Sequence, residues 1–262
     1  MTVWIDPPRW AAHGHVWSHL ISDASLEELH SFAGRAGIPA RGFEGDHYDV
    51  PEVRYADVVA AGARPTDAKD LVRRLRASGL RMQKRRGERG VARVEGVPLV
   101  GGARADVDLI VSARPATASR VFAAMVFVRD AGGDFAVVHA VRRGQWGAPG
   151  GSREGEESPA ATACREVREE IGVDLAVADL APVGYERFHH RSAGWPWPAE
   201  RDLLQAFRAD LRRTRPPLRS DHADTSARRW VTAAEFAELC GGEFWWPLAD
   251  HLFGDRQRPD AG

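Results

Sequence analysis

Residues 151–173 constrain this chain more than any other stretch. They read GSREGEESPAATACREVREEIGV, and both ends of a helix are marked within them. Ser158 before Pro159 is an N-cap followed by proline in the first turn, where its missing N–H costs nothing. Gly172 supplies the left-handed residue that ends a helix. The pattern predicts a helix from Pro159 to Ile171. At about 100° per residue, Ala160, Ala163, Cys164, Val167 and Ile171 share one arc, the expected buried face. Glu166, Glu169 and Glu170 share another, since residues three and four apart are neighbours on a helix. Like charges so placed weaken a helix by roughly a few tenths of a kcal/mol per pair. A divalent cation turns that repulsion into a binding site. Hard oxygen donors with no nearby His or Cys cluster suit Mg²⁺ or Mn²⁺. Taken alone, the helix also reads as a solvated acidic face with Arg165 and Arg168 as salt-bridge partners.

The flanks favour the metal site. Trp146-Gly147-Ala148-Pro149-Gly150-Gly151 precedes the helix. Adjacent glycines let a backbone approach a ligand closely, and consecutive N–H groups can cradle an anion. With its flanks, the stretch resembles the signature of the Nudix hydrolases, G-x5-E-x7-R-E-U-x-E-E-x-G-U, where U is a bulky aliphatic. Gly151, Glu157, Arg165, Glu166, Val167, Glu169, Glu170, Gly172 and Val173 fill every defined position. The preceding W-x-x-P-G-G is also common in that family.

The resemblance implies an α/β fold: an α/β/α sandwich with a mixed sheet, over about residues 116–255. It implies a Mg²⁺- or Mn²⁺-dependent hydrolase that cleaves the pyrophosphate bond of a nucleoside diphosphate linked to another group. Glu169 and Glu170 become primary metal ligands, Glu166 a further ligand or the base for metal-bound water, Glu157 a supporting acid, and Arg165 a clamp that orients a carboxylate. Gly150 and Gly151 fall on the substrate side. Arg142 and Arg143 suit bidentate phosphate contacts or an exposed strand end. Trp195 and Trp197 suit stacking on a base or loop packing. Trp230, Trp245 and Trp246 read as core. The alternative is a non-catalytic nucleotide-binding sensor. Such relatives usually have a decayed signature and an attached helix-turn-helix. Here the signature is intact, and the stretch after Val231 is too short for a winged helix.

Charge is balanced, with 36 Lys and Arg against 37 Asp and Glu. That leaves no bulk case for nucleic acid or membrane as a partner. Cys164 and Cys240 are the two cysteines, and Cys164 on a buried face argues against a structural disulfide. With no signal-peptide pattern and no apolar run of spanning length, a soluble cytoplasmic protein is expected. A homodimer is open, family members often being dimers.

Residues 1–80 read as a small α/β domain. A strand over Thr2–Asp6 precedes a loop rich in Trp and His (Trp10, His13, His15, Trp17, His19). Ser25 with Glu28 forms a capping box for a helix through about Arg35, with Leu26, Leu29, Phe32 and Ala33 as its apolar stripe. A polar loop spans Gly42–Pro51, and a second strand is expected near Ile38–Phe43. Further helices run over Glu52–Ala61 and, capped by Thr66, over Asp67–Ser78. This region resembles an uncharacterised bacterial domain with V-[YW]-[IV]-D-P-P-x-W and D-H-Y-D-V-P motifs, here Val3–Trp10 and Asp46–Pro51. Asp6, His19, Asp23, Asp46, His47 and Asp49 form a metal or acid/base site, or else cap turns and satisfy backbone groups.

Residues 81–115 read as a junction, with an exposed basic loop at Lys84–Arg86, strand-like stretches at Val91–Val100 and Asp106–Ser112, and a linker at Pro115–Ser119. Beyond it, strands are expected at Val121–Val128, Phe135–Val141, Leu180–His190, Asp202–Leu211 and Ser226–Val231. Helices follow at Ala233–Leu239 and Pro247–Phe253, and then a frayed tail.

Overall fold

The computed structural model describes residues 3–12, 14–189, 191–219 and 225–254. Thr2, His13, His190 and the tail after Gly254 lie outside the described residues. The chain divides into two compact units, Met1–Val91 and Ala92–Gly262.

The first unit runs β1 (Val3–Ile5), β2 (Trp10–Ala12), β3 (His15–Ser22), α1 (Leu26–Arg35), β4 (Tyr48–Pro51), α2 (Glu52–Ala60), β5 (Arg64–Pro65) and α3 (Ala68–Ala77). Its sheet has the order β2-β3-β1-β5, and β4 also pairs with β3. Val3, Ile5, Leu20, Leu29, Phe32, Tyr48, Val50 and Val58 form its core. Helix ends follow their local signals. The Ser25 side chain accepts the Glu28 N–H at 3.0 Å, but the Glu28 carboxylate takes the Ser22 hydroxyl. Asp67, not Thr66, caps α3, and Thr66 donates to Asp70 at 2.8 Å.

The strands of this unit depart from expectation. The Trp- and His-rich stretch is a hairpin of β2 and β3, with Trp10 opposite Trp17. The last four residues of the polar stretch Gly42–Pro51 are β4, and Ile38–Phe43 holds a 3₁₀ turn, Ala40–Gly42, in place of a strand. Polar side chains disguised β3, which is a strand because β1, β2 and β4 satisfy its backbone.

The second unit follows with β6 (Arg89–Pro98), inside which the unit boundary falls, then β7 (Arg104–Val111), β8 (Val121–Arg129), β9 (Phe135–Ala140), β10 (Gln145–Gly147), β11 (Gly150–Ser152), α4 (Pro159–Ile171), β12 (Leu180–His189), β13 (Leu203–Asp210), β14 (Thr225–Val231), α5 (Ala233–Cys240) and α6 (Trp246–Gly254). Among the described residues its sheet has nine strands in the order β10-β9-β8-β13-β12-β7-β6, with β11 on β8 and β14 on β9. β13 runs parallel to β8 and antiparallel to β12, so the sheet is mixed.

Side chains on a strand alternate between faces, which builds the two outer layers. Ala124, Val126, Val128, Ala136 and Val138 pack with Ala163, Val167 and Ile171 of α4. Phe127 and Phe135 point the other way and meet Phe236 of α5, with Trp245 and Phe253 beside it. The segment expected as a junction thus supplies two strands. β7 pairs with β12 from Val111 opposite Gly184 to Asp106 opposite His189. Its Val107, Leu109 and Ile110 are fully buried, which only a sheet interior provides. The expected linker at Pro115–Ser119 lies within this unit, where Ala116 is buried and donates its N–H to the Gln205 side chain at 2.6 Å. Cys164 and Cys240 are both free thiols. Among the described residues no helix is long and apolar enough to cross a membrane.

Candidate active site

α4 begins and ends where its caps place it. The Ser158 hydroxyl accepts the Ala161 N–H at 3.1 Å, and Gly172 sits at φ 68°. The acidic face differs from the sequence reading. Glu166 and Glu170 are 6% and 8% exposed, whereas Cys164 is only half-buried. The cause is β11, which lies against the acidic turn. A Cβ on Gly151 would overlap the Glu166 carboxylate, and one on Gly150 would overlap the Ala124 carbonyl. The glycine pair therefore lets this strand pass between β8 and the acidic residues. It does not form a free phosphate cradle at Gly150, because that N–H donates to Glu170 Oε2 at 2.9 Å. Thr225 donates its hydroxyl to the other oxygen at 3.3 Å.

Arg165 gathers the remaining carboxylates. Its Nη1 donates to Glu166 Oε1 and Glu169 Oε2, both at 2.9 Å, and its Nε to Glu157 Oε1 at 3.0 Å. Its Nη2 donates to the Ser152 carbonyl at 2.8 Å, tying the clamp to β11. Burial opposes the guanidinium charge, but Glu157, Glu166 and Glu169 outweigh it and hold Arg165 charged. Glu157 also accepts from Thr162 Oγ1 at 3.1 Å, and Arg165 holds its carboxyl below the usual range. Glu166 is the strained member. Burial pushes its pKa up to about 7; Arg165 offsets part of this, while Glu170 and Glu169 add to it. Such a turn stores electrostatic repulsion among its carboxylates.

The residues read as substrate contacts outside the glycine strand lie on a turn and a loop. Arg142 and Arg143 are exposed on the turn before β10, and Arg143 acts electrostatically on Glu186 and Glu243. Trp197 stacks on Phe122 with centroids 4.0 Å apart, and Trp195 meets Phe122 and Phe188 edge-on or tilted at 5.5 and 5.8 Å. Both indoles are thus packed against their own sheet. Trp197 still reaches the glycine strand, its Nε1 lying 3.4 Å from Ser152 Oγ.

Residues 119–251 match the model of the NUDIX domain. The chain belongs to the Nudix family. Residues 3–78 match a second model, described as a protein of unknown function, DUF4031. No curated protein matches the chain. Solved structures similar to it include the Bacillus subtilis pyrophosphohydrolase BsRppH, at 16% identity and TM-score 0.44 over 59% of this chain and 93% of that one. The Ap4A hydrolase of C. elegans is similar at 15% identity and TM-score 0.39, over 51% and 98%. The bifunctional NMN adenylyltransferase/ADP ribose pyrophosphatase of Francisella tularensis, complexed with AMP and a Mn ion, gives 15% and 0.38 over 52% and 42%.

One buried acid of the Nudix unit carried no sequence signal. Glu186 lies in β12, 1% exposed, and neither carboxylate oxygen has a hydrogen-bond partner among the described residues. Burial drives its pKa up to about 8, with Arg143 pulling the other way. An ordinary strand alternation hides it, because β12 is buried on both faces. The folded state holds a proton here that the unfolded chain releases above about pH 4.5. Stability should therefore fall as pH rises from about 5 to about 8, by roughly 4 kcal/mol over the full window. Glu186→Gln should flatten that slope and stabilise the protein at pH 8, read by denaturant unfolding across the range.

Of the six Asp and His residues singled out in the first unit, five converge. Asp23 does not join them; it accepts from Trp4 Nε1 at 2.8 Å and pairs with Arg74 at 3.6 Å.

Proposed function

We propose that the Nudix unit is a divalent-metal-dependent hydrolase that cleaves the diphosphate bridge of a nucleoside diphosphate linked to another group. The observation that carries this reading is the clamp. Arg165 holds Glu157, Glu166 and Glu169 beside a Glu170 seated on the Gly150 amide. All the donors are carboxylate oxygens, which fits Mg²⁺ or Mn²⁺. When bound, such a cation neutralises diphosphate oxygens and makes water a stronger nucleophile towards phosphorus.

Glu169 and Glu170 are the primary ligands in this proposal. Glu169 remains about one-third open to solvent, which gives incoming substrate a route to the centre. Glu166, poised near neutral pH by burial, serves as a further ligand or as the base that takes the proton of the attacking water. Arg165 and Glu157 position these groups without touching substrate. Arg142 and Arg143 lie on the exposed turn for phosphate contacts. Trp195 and Trp197 form a rigid aromatic wall beside Ser152, suited to an apolar or aromatic part of the substrate.

A panel of nucleotide sugars, dinucleoside polyphosphates and modified triphosphates with Mg²⁺ tests the reading. A nucleoside monophosphate should be released from at least one member. Nucleotide binding by calorimetry without turnover across the panel would instead support a sensor.

A further inference from the structure

The first unit carries a second site that owes nothing to the Nudix signature. We infer that His19, His47 and Asp49 bind a divalent transition-metal ion. The strands explain how three separated residues meet. In the β3–β4 pair, His19 stands directly opposite Asp49. His47 immediately precedes β4 and faces the same point, with its ring centroid 5.2 Å from that of His19. One ligand atom from each residue falls in a group within 4.8 Å of one another.

The orientation of the two imidazoles is the stronger observation. His19 Nδ1 lies 3.1 Å from Asp6 Oδ2, and His47 Nδ1 lies 2.6 Å from Asp46 Oδ1. Both aspartates are buried, at 1% and 0% exposure. Each is fixed in turn: Asp6 accepts from Trp10 Nε1 at 3.2 Å, and Asp46 from the Met82 N–H at 2.8 Å. A carboxylate on Nδ1 selects the tautomer that leaves Nε2 as a lone-pair donor, the arrangement that supports metal-bound histidines. Both Nε2 atoms then point to Asp49 Oδ1, from 3.4 Å in His47 and 4.0 Å in His19. A bond length of about 2.1 Å places donors roughly 3.4 Å apart in a tetrahedral site. Of the three donor pairs, His47–Asp49 already has that spacing and His19–Asp49 closes to it with a small side-chain shift, while all three residues offer donors within 4.8 Å of one another.

Two imidazoles and one carboxylate favour a borderline cation such as Zn²⁺, Co²⁺ or Fe²⁺ over Mg²⁺. Three protein ligands leave coordination positions vacant, the pattern of a site that binds water or substrate. The His19 and Asp49 side chains are partly open to solvent, at 26% and 38%, which gives those positions access.

Co²⁺ is a suitable probe because its visible absorption reports its ligands. The full chain, stripped with chelator, is titrated with Co²⁺ in excess Mg²⁺. We expect one tightly held Co²⁺ per chain that persists in the Glu169→Gln/Glu170→Gln variant. His47→Gln and Asp49→Asn should weaken it at least 100-fold with unchanged circular dichroism. Asp6→Asn, which keeps all three proposed ligands but removes the carboxylate behind His19, should weaken it by roughly 10- to 100-fold. The inference is overturned if the folded wild-type chain retains no Co²⁺ in Mg²⁺. It is equally overturned if the Co²⁺ leaves with the Glu169/Glu170 pair, or is indifferent to the folded His47 and Asp49 variants. In each case the cluster is an ion-pair network alone.

Discussion

Glu170→Gln is expected to lower kcat by roughly three orders of magnitude while leaving the fold intact. The two halves of that expectation have separate causes. Glutamine matches glutamate in shape, and its one carbonyl oxygen can keep the Gly150 N–H bond at Oε2. Its amide N–H can then donate to the Thr225 hydroxyl, which now donates to Oε1. The local hydrogen bonds survive with one reversed, so the melting temperature should move by no more than a few degrees. The negative charge and the second oxygen donor are lost, and a divalent cation binds poorly without them. Steady-state kinetics at saturating Mg²⁺, set beside thermal unfolding of the same preparation, separates the two effects. A variant with full activity would remove Glu170 from the site.

Arg165→Met should produce a different signature. Arg165 is mostly buried between Glu157, Glu166 and Glu169, with its side chain 13% exposed. Removing it leaves three carboxylates facing one another, one of them already pushed to about 7. Loss of one partner from a buried charged network costs about 3 kcal/mol, and metal-free protein should lose that much. Divalent cation should return part of the loss, since it supplies positive charge at the same place. Activity should fall roughly 100-fold through misplaced ligands. Arg165→Lys should rescue little, because one ammonium cannot bridge three carboxylates and the Ser152 carbonyl in the way a planar fork does. Unfolding measured with and without Mg²⁺ reads both effects. Equal destabilisation in the two conditions would mean that the clamp and the metal site are unrelated.

What was legible in the sequence was local. Ser158, Pro159 and Gly172 mark α4 to the residue because capping depends on neighbours three or four positions away. Thr232 marks the start of α5 in the same way, its side chain accepting the Glu235 N–H. The carboxylate spacing was legible too, but its burial was not. Periodicity places Glu166 and Glu170 in an arc separate from the apolar stripe but adjoining it, and β11 lying against that arc encloses them. The N-terminal strands were hidden for a related reason. β3 mixes His15, Ser18 and His19 with Val16, Trp17, Leu20 and Ile21, and its polar first half reads as a loop. Its pairing with β4 spans thirty positions from His19 to Asp49, and no local pattern encodes that register. Most of β7 was visible as the strand-like stretch Asp106–Ser112, yet its membership of the larger sheet depends on β12. Glu186 is the extreme case. A single acid in a doubly covered strand becomes unusual only when its surroundings are known.

In the proposed function the Glu166, Glu169 and Glu170 turn holds a catalytic divalent cation. The most direct measurement is the initial rate of nucleoside monophosphate release, using the best substrate of the panel, as Mg²⁺ is restored to chelated protein. The wild-type chain should be inactive without Mg²⁺ and should recover saturably, whereas the Glu169→Gln/Glu170→Gln variant should stay inactive at every concentration. Turnover in chelator, or a double variant that recovers with the wild-type curve, would contradict the account.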